Sequence, residues 1–470
     1  MLPKNNFVFV YKYVTMKPVF YSLKEVLFLS SRDQFASKIG FILAAAGSAI
    51  GLGAIWKFPY MAGTNGGSVF ILLFILCTVL IGLPILVAEF MIGRRGQLDP
   101  INSFKAQAPG KRWYMVGWIG LTAAGLILSF YSVVGGWILS YLFRALTMSL
   151  TGQGLNFAEL FTNIISNPIE VLVAQAAFML LTILIVQAGI KGGIEVASKW
   201  MMPLLFIFFI LLFIRSITLE GAIEGVKFMF VPDWSFLNAK TLLLALGQAF
   251  FSLSVGVCAM ISYSSYLSRK EDIVSSARNV AIMNIAISIL AGLVIFPAVF
   301  ALGYSPEQGP GLVFIMLPAV FEQLPMGGLF LIIFFILLLF ATVTSSISLL
   351  EVVVSIGIGN KTHGRRRASW IFSTIIFIIG IPSALSFGVM SDFTIMGKSF
   401  FDFVDYVTSS FMMPIGALFI SLFAGYHYSK QISQEELQTS PITFKIWFTI
   451  VRYIAPVAII IILLQSAFFS

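Results

Sequence analysis

The stretch AGSAIGLGAIWKFP, residues 46–59, combines the apolar composition of a membrane-spanning helix with residues that disrupt one: Gly47, Gly51, Gly53 and Pro59. A bilayer core contains no water to hydrogen-bond exposed backbone groups, so a spanning helix is normally continuous. Glycine and proline are the residues least favourable in a helix interior. The stretch therefore predicts a helix that opens near its middle, where its freed backbone groups would line a polar cavity instead of facing lipid.

The composition predicts a polytopic membrane protein. Of the 470 residues, 59% are hydrophobic and only 10% are charged, whereas a soluble domain carries roughly 25% charged residues. A spanning helix needs about 20 mostly apolar residues. Eleven segments meet that requirement and are numbered here as span 1 to span 11: 38–62, 68–92, 113–143, 170–188, 196–217, 241–268, 272–303, 328–357, 368–388, 397–427 and 443–467. The segment 309–325 is too short and too interrupted by proline to cross, so we expect a loop helix there.

The lysines and arginines predict the orientation of these spans. If the amino terminus is cytoplasmic, most of the 29 basic residues lie in cytoplasmic segments, as the positive-inside rule requires. Residues 1–31 would then form a basic cytoplasmic tail, and the odd number of spans would place the carboxyl terminus outside. This asymmetry accounts for the net charge of +9, so we expect the lipid bilayer as a partner and no nucleic acid.

Few residues suit an enzyme or a channel. Cys77 and Cys258 lie in apolar runs, and His363 and His427 lie in or beside polar segments. Neither pair is placed like a metal site or like a nucleophile with its base. No span carries the continuous polar face that a channel needs. These observations favour a protein that is not an enzyme.

Span 6 contains a second interruption. The segment GQAFFSLSVGVCAM, residues 247–260, places Ser252, Ser254 and Gly256 in the middle of the span. Spans 1 and 6 are five helices apart, so spans 1–5 and 6–10 would be two repeats with breaks at matching positions. Paired interruptions of this kind indicate a transporter site near the bilayer midplane. The alternative is that the small residues allow close helix packing.

Several motifs resemble the neurotransmitter:sodium symporter family, whose bacterial members include the leucine and multihydrophobic amino acid transporters. They are GSAIGLGAIWKFPY (47–60), NGG (65–67), GLPILVAEFMIGR (82–94), GQAFFSLSVG (247–256), Asn284, TSSIS (344–348) and FDFVDY (401–406). The resemblance implies an all-α fold with a 5+5 inverted repeat. The first repeat would cover 32–217, the second 241–428, and 443–470 would hold the extra span 11. The activity implied is sodium-driven uptake of a small amine-bearing solute across a bacterial-type cytoplasmic membrane.

The resemblance implies a substrate site formed by both breaks and by spans 3 and 8. Its residues are Ala49, Gly51, Leu52, Gly53, Ile127, Tyr131, Phe251, Ser252, Ser254, Val257, Ser345 and Leu349. Monoamine transporters of the family carry an aspartate at the position of Gly51, whereas glycine leaves room for a substrate carboxylate. The amides of Leu52 and Gly53 and the hydroxyl of Tyr131 match the carboxylate-binding groups. The Ser254 hydroxyl and the backbone carbonyls of Phe251 and Ser252 match the amine-binding groups.

A sodium site is implied where span 8 passes the break in span 1. Sodium prefers several neutral carbonyl and hydroxyl oxygens, and span 8 reads ATVTSSISLLE over 341–351. The matching ligands are the backbone oxygens of Gly47, Ile50 and Ala341 and the hydroxyls of Thr344 and Ser345. Hydroxyl residues in membrane helices often only bond the preceding turn, but this run contains more of them than that role needs.

The sequence leaves undecided whether the chain has a further sodium site and a chloride site. Ala49, Ser252 and Asn284 match ligands of the family's other sodium site, but Ala54 stands where the family has an asparagine and offers no side-chain oxygen. An asparagine in an apolar span is costly unless it is paired. The chloride pattern is matched by Gln248, Ser252, Asn284 and Ser288, whereas Phe74 replaces an expected tyrosine.

Gate residues are also implied on both sides. Lys57 and Asp405 match the family's outer ion pair, and a lysine would act as a point charge without the bidentate fork of arginine. Arg32 and Tyr266 match inner-gate positions. Gly359 falls where span 8 normally carries the acidic partner of the inner arginine, so we expect that acid to be missing.

Two further residues refine these expectations. Val257 replaces a phenylalanine of the leucine transporter, which predicts a roomier pocket for a neutral, larger apolar or aromatic α-amino acid. Glu89 matches a buried acid that accepts hydrogen bonds from the unwound backbone of span 1. The sequence thus predicts a sodium-coupled amino acid importer. The alternatives are the same fold with single-sodium or proton coupling, and a non-transporting amino acid sensor; the oligomeric state is not predicted.

Overall fold

The structure is a computed structural model that describes residues 33–150, 155–303, 311–359 and 364–468. The predicted tail, residues 1–31, and the predicted gate residue Arg32 lie outside these ranges. Within them the chain is almost entirely helical, as the apolar spans predict. Its one strand pair consists of Thr394–Ile395 and Lys398–Ser399, which run antiparallel.

Nine of the described helices are long and apolar enough to cross a membrane: Ser68–Gly96, Tyr114–Leu146, Pro168–Val186, Ile190–Ile217, Ile273–Ala301, Gly327–Ile358, Arg365–Leu385, Phe400–His427 and Pro441–Phe468. Span 1 is a tenth candidate, built from Lys38–Ala49 and Gly53–Thr64, which meet at a 52° bend. Span 6 is split into Ala239–Ser252 and Ala259–Ser264. The total of eleven spans stays a prediction, because both halves of span 6 are short.

Shorter elements connect the spans: Pro100–Gln107, Phe157–Ser166, Ala222–Phe230, the 3₁₀ turn Trp234–Phe236, Leu312–Met316 with Leu317–Glu322, and Lys430–Leu437. The pair Leu312–Met316 and Leu317–Glu322 lies where a loop helix is predicted.

Widened, π-helical turns occur in spans 2, 5, 10 and 11, and span 10 contains two of them: Thr78–Gly82, Ile190–Ile194, Thr408–Met412, Phe423–His427 and Ile450–Ile454. Three of these turns lie directly before Pro84, Pro414 or Pro456. A proline ring clashes with the carbonyl four residues earlier and offers no N–H. A π-helical turn accommodates one extra residue, so the chain bends at these prolines without ending the helix.

The packing places the two breaks at the centre of the protein. Helix Tyr114–Leu146 has the most buried spanning window, 83%, whereas Ile190–Ile217 has only 28% and faces outward. Tyr114–Leu146 packs along Gly327–Ile358, and Lys38–Ala49 packs against Gly327–Ile358 and Ile273–Ala301. The opened backbone of span 1 is therefore surrounded by protein rather than lipid.

Candidate functional site

The two breaks form one cavity of about 40 Å³ in the middle of the helices. Its lining is Ser48, Ala49, Gly51, Leu52, Gly53, Ile127, Tyr131, Phe251, Ser254, Val257, Ser345, Leu349 and Met413. The structure therefore brings together every predicted substrate residue except Ser252. Ser48 and Met413 line the cavity as well, although the sequence did not indicate them.

The span 1 side of the cavity consists of backbone that other side chains approach closely. Helix Lys38–Ala49 ends at Ile50, whose ψ of 72° takes the chain out of helical geometry. A Cβ at Gly51 would come within 2.7 Å of the Tyr131 Oη and would overlap the Ser345 hydroxyl. Any side chain there would require Ser345 and Tyr131 to move aside. The Leu52 N–H donates to Tyr131 Oη at 3.2 Å, so the predicted carboxylate-binding groups are neighbours.

The span 6 side carries the groups predicted to bind an amine. Residues 253–258 leave helical geometry, with positive φ at Ser254, Gly256 and Cys258. The Ser254 hydroxyl donates to the Ser48 carbonyl at 2.9 Å and so links the two breaks. Ser252 points elsewhere, because its hydroxyl donates to Asn284 Oδ1 at 2.8 Å.

Glu89 supports the break in span 6 and not, as predicted, the break in span 1. Its Oε1 accepts a hydrogen bond of 2.7 Å from the Gly256 N–H, and the side chain is fully buried. A carboxylate at this point satisfies a backbone donor that the broken helix leaves without its usual partner.

Four of the five residues predicted to hold sodium, Gly47, Ala341, Thr344 and Ser345, lie together at the crossing of spans 1 and 8. The Ser345 hydroxyl lies 3.2 Å from the Gly47 carbonyl oxygen and 3.1 Å from that of Ser48. Thr344 Oγ1 lies 3.0 Å from the Ala341 carbonyl oxygen, and a Cβ at Gly47 would lie 3.0 Å from Thr344 Cβ. The site thus offers neutral oxygens at close range, the ligand chemistry that a hard monovalent cation prefers.

A second polar cluster surrounds Asn284. The Ser288 hydroxyl donates to the Asn284 carbonyl at 2.9 Å, and Gln248 Nε2 donates to the Gly53 carbonyl at 2.6 Å. Asn284 Nδ2 and Gln248 Oε1 are buried and have no hydrogen-bond partner in the described part of the chain. One is a donor and the other an acceptor, so the cluster could serve an anion or a cation. Ala54 is fully buried and contributes no side-chain oxygen.

The outer gate residues lie above this site but do not pair with each other. Lys57 Nζ lies 4.3 Å from the centroid of the Phe251 ring. Asp405 Oδ1 accepts a hydrogen bond of 2.6 Å from the Ser409 hydroxyl. Across the described ranges, no ion pair within 4.0 Å joins Lys57 to Asp405. Their role as a gate stays a prediction.

The side of the cavity that carries Tyr266 holds a buried acid that the sequence analysis did not single out. Glu351, on span 8, is fully buried and forms an ion pair with Arg365. The Tyr266 hydroxyl donates to Glu351 Oε1 at 2.6 Å, and Arg365 Nε donates to the Val186 carbonyl at 2.9 Å. The expectation that Gly359 leaves Arg32 without its acidic partner stays a prediction, because Arg32 lies outside the described residues. Glu351, two turns earlier in span 8, pairs with Arg365 instead. The signal was a single acid in an apolar helix, which usually marks a functional position.

Two broken helices that enclose a cavity of backbone groups and hydroxyls, with polar closures on both sides, define a secondary transporter. A model of the sodium:neurotransmitter symporter family matches residues 32–159 and 156–469. The uncharacterized sodium-dependent transporter YhdH of Bacillus subtilis is 51% identical over 438 residues, covering 92% of this chain and 97% of that protein. An uncharacterized sodium-dependent transporter of Haemophilus influenzae is 36% identical, covering 93% and 98%.

Among solved structures, MhsT in complex with L-phenylalanine superposes with a TM-score of 0.88 and 47% identity, covering 93% of this chain and 100% of that one. The chain belongs to the sodium:neurotransmitter symporter family. It is a multi-pass, sodium-dependent transporter with the fold of that family.

Proposed function

We propose that this protein imports neutral, larger apolar or aromatic α-amino acids together with sodium by alternating access. The observation that carries the proposal is that the Leu52 N–H, the Tyr131 hydroxyl and the backbone of Gly51 share one wall of the cavity, where they suit a substrate carboxylate. The close contacts of Gly51 with Tyr131 and Ser345 leave no space for an acidic side chain of the protein itself. Among the described residues, the cavity lining contains no charged side chain. A zwitterion suits such a lining, because it carries one positive and one negative charge and has no net charge for the protein to neutralise.

The apolar part of the lining supports the choice of side chain. Ile127, Val257, Leu349 and Met413 supply it, and all four are buried. A cavity of about 40 Å³ holds roughly three water molecules. An aromatic side chain would therefore fit only if the helices that line the cavity move apart. Alternating access involves such movements. MhsT, with 47% identity, was solved with L-phenylalanine bound.

Sodium would drive accumulation. One charge crossing 100 mV contributes about 2.3 kcal/mol, and a tenfold gradient adds about 1.4 kcal/mol. One sodium ion could therefore sustain roughly a few-hundred-fold accumulation of a zwitterion, and two could sustain on the order of 10⁵-fold. The absence of an oxygen on Ala54 favours single-sodium coupling as the second candidate.

The distribution of basic residues supports an orientation of the protein, and the inward sodium gradient would set the direction of transport. We place the amino terminus in the cytoplasm and the carboxyl terminus outside a bacterial-type inner membrane, with spans 1, 2, 6 and 7 moving against the remaining spans. Glu351, Arg365 and Tyr266 would close the cytoplasmic side, and Lys57 with Phe251 the outer side.

The decisive experiment is reconstitution in liposomes with imposed sodium, chloride and voltage gradients, followed by uptake of a panel of amino acids. Uptake that ignores sodium would reject the proposal. Thr344→Val with Ser345→Ala should abolish sodium-dependent binding. Thr342→Val is the matched control, because its buried hydroxyl bonds the preceding turn as that of Thr344 does, but Thr342 is not among the predicted sodium ligands.

The stoichiometry has its own test. Ala54→Asn should steepen the sodium dependence of binding if the site near Asn284 is now empty. Ala54→Leu has a similar size without the oxygen and should not. An unchanged sodium dependence in Ala54→Asn would count against single-sodium coupling.

A further inference from the structure

A second cavity lies on the outer surface of the helices, away from the central site. It has a volume of about 300 Å³, and it is lined by Arg112, Trp113, Met115, Val116, Ile119 and Phe419. None of these residues lines the central cavity. We call it the span 3–10 groove, because its walls are the start of Tyr114–Leu146 and the helix Met413–Leu422.

The groove is apolar along one part and cationic at one end. Met115 and Phe419 are exposed by 53% and 37%, as expected for side chains that face lipid. Arg112 ends the polar loop just before the helix, and Trp113 and Tyr114 follow it. Tryptophan and tyrosine are enriched at the membrane interface, so Arg112 lies at headgroup level and Met115, Ile119 and Phe419 lie at acyl-chain level.

The charge at this end is positive and uncompensated. Lys105, Lys111 and Arg112 are all exposed, and none forms an ion pair in the described ranges. Lys111 Nζ instead lies 3.5 Å from His427 Nδ1. The one acid between residues 97 and 119 is Asp99, which is buried and caps Asn102. A ligand that fits both parts has an apolar chain and an anionic head.

The walls of the groove are held in place from behind. The Cys258 thiol contacts the Val116 carbonyl at 3.8 Å, and the Trp113 ring packs edge-on against Phe423 at 5.2 Å. The groove is thus preformed, and ligand binding need not create it.

We propose that the span 3–10 groove binds one anionic phospholipid, with its phosphate at Lys111 and Arg112 and an acyl chain along Met115, Ile119 and Phe419. The inference rests on the placement of these spans in a bilayer and not on transport. Each cation near a membrane surface contributes about fivefold to the binding of an anionic lipid. Removing both cations should therefore weaken binding by about 25-fold.

Quenching of Trp113 by brominated lipid tests the proposal. The full chain is reconstituted in phosphatidylcholine vesicles that contain increasing fractions of brominated phosphatidylglycerol or brominated phosphatidylcholine in both leaflets. Subtracting the signal of Trp113→Phe isolates Trp113 from the other tryptophans. We expect half-maximal quenching at a much lower fraction of the anionic lipid, and loss of that preference in Lys111→Gln with Arg112→Gln.

The control variant is Arg269→Gln with Lys270→Gln, two exposed cations of another loop, which should keep the preference. Equal quenching by both lipids would make the groove an ordinary boundary-lipid position and overturn the proposal. So would an equal loss of preference in the control, because the effect would then reflect general surface charge. Since quenching needs no uptake, a failure of the proposed transport activity leaves this test intact.

Discussion

Under the proposed function, the two sides of the central cavity would be closed by different chemistry. On the inner side, Glu351 is fully buried and is bound by both Arg365 and Tyr266. On the outer side, Lys57 lies over the half-buried ring of Phe251, and the Asp405 carboxylate accepts a hydrogen bond from Ser409, four residues further along the chain. The inner side therefore depends on a buried ion pair, and the outer side on a cation above an aromatic ring.

This difference makes the two closures unequal in strength. Removing one partner of a buried ion pair costs about 3–5 kcal/mol, because the other charge stays behind without compensation. A cation–π contact contributes about 0.5–2 kcal/mol. In this conformation the outer closure is thus the easier one to open. The predictions below start with the strongest contact and end with the weakest.

Glu351→Gln should have the largest effect. It leaves the Arg365 side chain, only 15% exposed, without a carboxylate, at a cost of about 3–5 kcal/mol. The measurement is the thermal unfolding midpoint of the purified protein, compared with Glu224→Gln in the exposed pair with Lys227, which should change little. The double variant Glu351→Gln with Arg365→Met should recover much of the loss. Wild-type stability in the single variant would refute the strong inner closure.

Tyr266→Phe should loosen the inner side without removing a charge. A hydrogen bond to a charged group contributes about 1.5–3 kcal/mol, so opening should become roughly tenfold or more frequent. Alkylation of a cysteine introduced at Ser265 would report it, because Ser265 is buried and the native Cys77 and Cys258 are buried as well. Tyr263→Phe is the control on the same side. Equal alkylation in both variants would show that the bond to Glu351 does not hold the closure.

Lys57→Met should weaken the outer closure by a smaller amount. Loss of about 0.5–2 kcal/mol of cation–π energy should speed dissociation of a bound amino acid to the outside by about two- to thirtyfold. Lys57→Arg keeps a cation over the Phe251 ring and should stay near wild type. If arginine is as damaging as methionine, the ring contact is not what closes this side.

Asp405→Asn should have the smallest effect. The asparagine still offers an oxygen to Ser409, and no ion pair with Lys57 is present to lose among the described residues. We expect a change in the same dissociation rate of about twofold or less. An effect as large as that of Lys57→Met would mean that the pair forms during the cycle and that the two closures resemble each other.

The sequence predicted the central site better than the closures. The breaks were visible because glycines and hydroxyl residues are conspicuous in apolar spans, and motifs that line one cavity keep their order along the chain. Met413 gave no signal, because a methionine in an apolar run looks the same whether it faces lipid or a cavity. Ser48 resembled an ordinary packing residue beside Gly47.

The closures depend on distances between helices, which a linear pattern does not contain. Gly359 occupies the family position of the inner acid, and the prediction that Arg32 lacks a partner stays untested. Glu351, which pairs with Arg365, was visible in the sequence as a lone acid in an apolar helix. The orientation of Glu89 was likewise hidden, because either break offered backbone donors. Charge pairing across helices is set by packing. Lys57 and Asp405 match the family's motif for an outer ion pair, but the two side chains do not form that pair in the structure.

Ser345 lines the cavity, and its hydroxyl lies 3.2 Å from the carbonyl oxygen of Gly47, a predicted sodium ligand. Under the proposed function, one oxygen is then the boundary between ion and amino acid. Thermodynamic reciprocity requires that the factor by which sodium tightens amino acid binding equals the factor by which the amino acid tightens sodium binding. The amino acid concentration needed for uptake would therefore fall as the sodium concentration of the surroundings rises.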